Sequence, residues 1–170
     1  MTQLKQFKLS IEGIYCDVPH EDRKMEVFAD TVDKDNPIND IDILVICNEI
    51  CCFIRNKLRK SMKPKEFAEL EKKFEKFHFG GVTEKSILRQ AKMTIWGYYC
   101  EEKHPDRKLN YSLDSLTEGQ AQILLYEILS SMRNKLSETM TREQLHDVAI
   151  KFNIQNLGML KDEMPFVTRD

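Results

Sequence analysis

Hydrophobic and polar residues alternate strictly in two stretches of this chain, residues 7–15 and 93–99. A period of two is typical of a β-strand with one buried face. Turn-forming residues follow each stretch, and the alternation resumes at residues 25–31 and 109–115. The pattern therefore predicts two β-hairpins.

After each hairpin, apolar residues recur at steps of three and four, which predicts an amphipathic helix of about twenty residues. These residues are Ile43, Ile46, Ile50, Ile54 and Leu58 in the first half, and Ile123, Leu124, Ile128, Met132 and Leu136 in the second. A second helix is predicted to follow in each half. Pro64 is tolerated in a first helical turn, and residues 141–144 have the spacing of a capping box.

Two segments of the chain also repeat directly. Residues 8–24 return as residues 92–108 at an offset of 84, and nine of the seventeen aligned positions are identical. Residues 54–58 return as residues 132–136 at an offset of 78, so the second copy is about six residues shorter in one loop. Self-similarity at a fixed offset is the sequence signature of an internal repeat.

We therefore predict an α+β fold built from a tandem duplication of a ββαα unit. Units of about 80 residues are marginally stable alone. We expect them to pack about a pseudo-twofold axis, with the antiparallel hairpins forming one sheet covered by four helices. The predicted boundaries are 1–80 for the first repeat, 81–90 for a linker, 91–158 for the second repeat and 159–170 for a tail.

The composition is that of an ordinary globular protein. The 170 residues are 41% hydrophobic and carry a net charge of −2, so there is no global basic field. The cysteine count is five, an odd number, which favours reduced thiols in the cytoplasm. The longest apolar run, residues 41–54, is too short and too polar to cross a bilayer. We expect a cytoplasmic protein without membrane contact, either a monomer with pseudo-twofold symmetry or a homodimer.

Each predicted hairpin tip contains a Cys-x-x-x-His pair: Cys16 with His20, and Cys100 with His104. If the two tips meet, the pairs supply the ligand set of a tetrahedral zinc site. The alternative is that each cysteine packs as a small hydrophobic residue at the end of a strand. A zinc-stabilised domain is therefore the third hypothesis for function, and no cofactor is expected.

Other features of the tips and strands favour contact with a partner. The tips keep an aspartate and an arginine in both copies, which either satisfy turn backbone groups or form a matched pair of contact surfaces. Two aromatic residues fall where the strand alternation predicts solvent, as anchors for a partner or for a second helix layer. The predicted partner-binding residues are Asp22, Arg23, Trp96, Tyr98, Asp106 and Arg107.

Charge is segregated in the first half. A run without any acidic residue near the end of the first predicted helix contains Arg55, Lys57, Arg59, Lys60, Lys63 and Lys65. Such a run suits a nucleic-acid backbone, or is simply a solvated helix junction. Residues 17–42 have the opposite imbalance, with nine acidic residues against three basic ones. These carboxylates suit a basic partner surface, or serve only solubility.

Three cysteines on one predicted helix raise the possibility of metal or redox chemistry. However, Cys47 and Cys51 correspond to Leu125 and Leu129 in the second copy. A position that accepts leucine is a core position, so we interpret both cysteines as packing residues.

Asn56 and Asn134 share a helix face with Glu49 and Glu127, and all four are retained between the copies. Asparagine is a mediocre helix former, so its retention predicts a buried or interfacial hydrogen bond between the repeats.

The sequence contains no phosphate-binding glycine loop, no zincin motif, no nucleophile elbow and no dinucleotide fingerprint. We therefore predict a small non-enzymatic interaction protein, an inhibitor or regulator that occupies a partner protein's surface. The alternative is a nucleic-acid-binding module that uses the basic stretch 55–65.

Overall fold

A computed structural model of the chain describes residues 4–15, 24–69, 72, 89–100, 106–148 and 167–169. In chain order the elements are β1 (Lys5–Tyr15), β2 (Lys24–Thr31), α1 (Asp40–Ser61), α2 (residues 64–69), β3 (Arg89–Tyr99), β4 (Lys108–Asp114), α3 (Glu118–Thr139), α4 (residues 142–148) and β5 (Val167–Arg169). The fold is α+β, with four antiparallel strands and four helices, as the hydrophobic pattern predicts.

The strand order in the sheet is β2-β1-β3-β4-β5. The two predicted hairpins are β1–β2 and β3–β4, and both are antiparallel. Their first strands, β1 and β3, also pair antiparallel and form the centre of the sheet. The short β5 adds to the outer edge of β4 in the parallel direction.

One face of the sheet is buried under the helices. Phe7, Leu9 and Ile11 on β1, and Met93 and Ile95 on β3, are each at most 1% exposed and stand at alternate positions. Burial of each such side chain stabilises the fold by roughly 1.5–3 kcal/mol. The buried residues of α1 and α3 complete this core, whereas the described residues of α2 are mostly exposed.

A glycine fixes the close approach of the strands in each hairpin. Gly13 and Gly97 have φ angles of +152° and +146°, which side-chain-bearing residues rarely adopt. A Cβ atom at either position would lie 1.9 Å from the carbonyl oxygen of the facing strand, that of Lys24 or of Lys108. No heavy atom fits at that distance, so both positions require glycine.

Both long helices begin at a reciprocal capping box. The side chain of Asn39 accepts a hydrogen bond from the backbone N–H of Asp42, whose carboxylate accepts one from the backbone N–H of Asn39. Thr117 and Gln120 repeat this arrangement at the start of α3. Each box satisfies two backbone donors that a helix N-terminus otherwise leaves without intrahelical partners.

The predicted loop difference lies just before these caps. Residues 32–38 connect β2 to the α1 cap, whereas residues 115 and 116 are enough to connect β4 to the α3 cap. The second half is shorter here because its strand passes almost directly into its helix.

The interpretation of the helix cysteines as packing residues is confirmed. Cys47 is fully buried and Cys51 is 6% exposed, and both belong to the core cluster. Burial raises the pKa of Cys47 to about 12 and also raises that of Cys51. A thiol that stays protonated is a poor nucleophile and a poor metal ligand.

The structure differs from the predicted boundaries at two places. β3 begins at Arg89, inside the predicted linker 81–90, and β5 forms within the predicted tail 159–170. Only Val167, Thr168 and Arg169 belong to β5. Three residues are too few to show an alternating pattern, so alternation could not predict this strand.

Candidate partner-binding surface

The sheet face opposite α1 and α3 is uncovered in the part of the chain that the structure describes. We call it the open face; it consists of the even-numbered residues from 6 to 14, 24 to 30, 90 to 98 and 108 to 114. None of these residues is buried. The prediction that Trp96 and Tyr98 lie on the face of β3 that points away from the core is therefore confirmed.

Three aromatic side chains lie on the open face. Tyr98 is 43% exposed, Phe28 is 47% exposed, and Trp96 is half-buried. Phe28 on β2 is in a different cross-strand row from Trp96 and Tyr98 on β3. Its row continues with Ser10 on β1 and Thr94 on β3, so small polar residues lie between Phe28 and the other two aromatic side chains. Exposed aromatic residues on a flat, mainly polar sheet are a common composition for the centre of a binding patch.

Lysines flank the aromatic residues of β3. Lys8 is directly opposite Trp96 on β1, and Lys108 is directly opposite Tyr98 on β4. Neither lysine makes an ion pair with a described residue. At the other end of the open face, Lys92 pairs with Glu12 at 3.6 Å, which neutralises that end locally. Asp30 on β2 is directly opposite Lys8, so these two charges offset each other, whereas Lys108 is directly opposite Tyr98.

Arg107, one of the predicted partner-binding residues, lies inside the fold. Its guanidinium group forms an ion pair with Glu49 on α1 and sits 4.9 Å from the centre of the Tyr99 ring. The side chain is 8% exposed and that of Glu49 is 1% exposed. Burial raises the pKa of Glu49 to about 7, although the adjacent Arg107 lowers it. This pair joins the two halves of the chain, which the sequence did not indicate.

The remaining tip residues divide between described and undescribed parts of the chain. Asp106 is exposed at the start of the second tip. Asp22 and Arg23, together with the zinc candidates Cys16, His20 and His104, lie outside the described residues. Cys100 is described and is 2% exposed. Among the described residues, no group of three or more potential ligands is placed to hold a metal ion.

The predicted hydrogen bond from the helix asparagines is not supported in the second half. Asn134 is exposed, whereas Asn56 is half-buried. Glu49, the retained glutamate of the first half, forms an ion pair with Arg107 at the tip of the second hairpin. Its counterpart in the second half, Glu127, is half-buried.

The basic run is exposed along its whole length. All six of its basic residues are exposed: Arg55, Lys57, Arg59, Lys60, Lys63 and Lys65. Lys57 pairs with Glu118 at 2.7 Å, and the Arg59 guanidinium lies 5.5 Å from the centre of the Phe67 ring. The run belongs to the helical layer, so it is not continuous with the open face.

No helix within the described ranges is both long and apolar enough to span a membrane. The chain matches no protein-family model, no curated protein and no solved structure.

Proposed function

We propose that this chain is a small non-enzymatic interaction protein, an inhibitor or regulator that binds a partner protein through the open face of its sheet. The observation that carries the proposal is a sheet face that no described element covers and that bears Trp96, Tyr98 and Phe28. Trp96 and Tyr98 are neighbours on one face of β3, and Phe28 lies apart from them on β2. Aromatic side chains on an accessible surface commonly form the energetic centre of a protein interface.

We leave Arg107 out of this surface, because its guanidinium group is already bound to Glu49 in the interior. Asp106, which is exposed at the second hairpin tip, is kept as a partner-binding residue next to the open face in sequence. The first tip, with Asp22 and Arg23, is the predicted counterpart.

We also propose that the fold is a tandem duplication of a ββαα unit with a pseudo-twofold axis through the centre of the sheet. The hairpin registers support this, because Ile11 faces Val27 and Ile95 faces Tyr111, each pair shifted by 84. At the centre Ser10 faces Thr94, its own counterpart at the same offset. A twofold axis between equivalent strands requires such a pair.

A cytoplasmic location fits the cysteines. The four described cysteines are free thiols, and a small domain in an oxidising compartment would ordinarily pair them.

The test is capture of partners by tagged protein from a lysate of the source cell, with and without nuclease. Replacing Trp96 and Tyr98 together with alanine should reduce capture by about tenfold or more, since each interfacial aromatic anchor commonly contributes 2 kcal/mol or more. The matched control is Tyr126→Ala on α3, because Tyr126 is 41% exposed but lies in the helical layer.

Urea unfolding of the Trp96→Ala/Tyr98→Ala variant separates binding from folding. An unchanged free energy of unfolding together with lost capture supports the proposal. Equal capture by this variant and wild-type protein would contradict the proposal. Lost capture together with a large loss of stability would also count against it, because unfolding would then explain the lost capture.

A second candidate function is binding of nucleic acid, because the whole basic run is exposed. If it binds a nucleic-acid backbone, the affinity for a labelled single-stranded oligonucleotide should fall steeply with salt. Neutralising Arg59 and Lys60 with glutamine should flatten that dependence, whereas the same change at Lys8 and Lys108 on the open face should not. Weak binding with equal salt dependence in all variants would exclude the basic run as the site.

A further inference from the structure

β2 and β4 are the corresponding second strands of the two hairpins, but their outer edges differ. β4 has β5 hydrogen-bonded to its outer edge, with Leu109 opposite Val167 and Tyr111 opposite Arg169. Along the described ranges of the chain, no strand pairs with the outer edge of β2. An unpaired edge presents a row of backbone N–H and C=O groups to which another strand can add.

Side-chain burial gives an independent sign that the β2 edge is incomplete. On β4, Leu109 and Tyr111 are fully buried. Their counterparts on β2 at the offset of 84 are Met25 and Val27, and both are only partly buried. Apolar residues of the core layer therefore reach solvent at the β2 edge, where an added strand would cover them.

The β2 edge and the loop after it are acidic with exposed apolar residues among the charges. Phe28 is 47% exposed and Val32 is 54% exposed. The exposed acidic residues of this region are Glu26, Asp30, Asp33, Asp35 and Asp40, against the bases Lys24 and Lys34. Lys24 is already paired with Glu26 at 3.2 Å. The edge thus suits a strand with both basic and apolar side chains.

β5 shows how a basic strand is held at the equivalent edge. Arg169 lies 2.5 Å from Glu118, the first residue of α3, and Lys57 contacts the same carboxylate at 2.7 Å. Although burial opposes it, hydrogen bonds from both bases hold the pKa of Glu118 below its ordinary value. Asp40, the first residue of α1, is the counterpart of Glu118 at the offset of 78 and is exposed.

We propose that the outer edge of β2 is a strand-addition site for an extended basic segment of a partner protein, with one basic side chain bound to Asp40. This inference rests on the proposed function and specifies the chemistry of the partner. A second copy of the same edge is a poor occupant, because two acidic edges repel each other. A nucleic-acid backbone is excluded by the same charge.

The probe is a fluorescein-labelled peptide of alternating arginine and valine, about eight residues long to match β2. We expect saturable binding by the full chain, measured by fluorescence anisotropy, and weaker binding at higher salt. A peptide of alternating glutamate and valine should not bind. Absence of saturable binding by the basic peptide overturns the inference.

Matched substitutions locate the peptide. Asp30→Asn together with Asp40→Asn should weaken peptide binding by about tenfold, which corresponds to roughly 1.4 kcal/mol. Asp114→Asn should not weaken it, because Asp114 is the exposed counterpart of Asp30 on β4. Equal weakening by both changes would indicate non-specific attraction and would refute the β2 site.

Amide hydrogen exchange tests the backbone pairing directly. Bound peptide should slow exchange in residues 24–31 and leave residues 108–114 unchanged. Protection elsewhere, or none, contradicts strand addition. If the peptide fails these tests while partner capture still depends on Trp96 and Tyr98, only this inference fails and the proposed function stands.

Discussion

Removal of Arg107 should destabilise the fold strongly, because it leaves a buried carboxylate without its cation. The Glu49 side chain is 1% exposed and that of Arg107 is 8% exposed. Loss of one partner from a buried ion pair typically costs about 3–5 kcal/mol. The guanidinium also lies over the Tyr99 ring, a contact that contributes about 1 kcal/mol more. We expect Arg107→Met to lower the free energy of unfolding by about 5 kcal/mol at pH 8.

The size of this loss should depend on pH in a defined direction. Burial raises the pKa of Glu49 from 4.5 to about 7 in the folded protein, against the lowering effect of Arg107. A carboxyl group whose pKa is higher in the folded than in the unfolded protein does not lower the free energy of unfolding at a pH below its pKa in the unfolded protein. At a pH above its pKa in the folded protein, the whole loss of stability is present. Without Arg107 only burial acts, so the pKa of Glu49 rises further. The loss should therefore be largest at pH 8 and should shrink towards pH 5, where Glu49 is protonated in both proteins.

Urea unfolding followed by circular dichroism at pH 8 and pH 5 measures both effects. The double variant Glu49→Leu/Arg107→Met should recover most of the stability, since an apolar pair can replace a buried ion pair. Arg142→Met serves as a control, because Arg142 is exposed and its replacement should change stability by less than about 0.5 kcal/mol. A loss below about 1 kcal/mol for Arg107→Met at pH 8, or an equal loss at both pH values, would refute this account.

Three further predictions follow from the backbone and the core. Gly13→Ala and Gly97→Ala should each cost about 2–3 kcal/mol, because an added Cβ would lie 1.9 Å from a carbonyl oxygen; urea unfolding showing less than about 1 kcal/mol would contradict this. Replacing the caps Asn39 and Thr117 with alanine should cost about 1 kcal/mol each and should be additive, which the same measurement on single and double variants checks. Cys47, whose pKa burial raises to about 12, should resist iodoacetamide at pH 8 until the protein unfolds; rapid labelling of native protein detected by mass spectrometry would contradict its place in the core.

Local patterns in the sequence predicted the elements well because each element is set by local physics. Alternation identified β1 and β3, since successive side chains of a strand point to opposite faces. It also placed Trp96 and Tyr98 on the face that the structure leaves uncovered. The capping box predicted at Thr141 is present as well, with reciprocal bonds between Thr141 and Gln144.

The sequence pattern did not predict contacts between distant parts of the chain. Alternation tells which residues share a face, but not which strands become neighbours, so the pairing of β1 with β3 did not follow from it. The Glu49–Arg107 pair depends on how far α1 extends over the sheet. The identity of both residues in the two copies was a signal, but it pointed to Arg107 as a partner-binding residue and to Glu49 as a residue on the same helix face as Asn56.

The differences between the proposed repeats bear on how many partners one chain binds. Several inward residues and one glycine of each half are alike, but on the open face Trp96 corresponds to Glu12 and Tyr98 to Ile14. A twofold pair of binding sites would need equivalent side chains on both halves. The open face instead has one aromatic end, beside Lys108, and one end where Lys92 pairs with Glu12. The proposed surface therefore predicts one partner molecule per chain, and sedimentation of the complex at a ratio of two partners to one chain would contradict it.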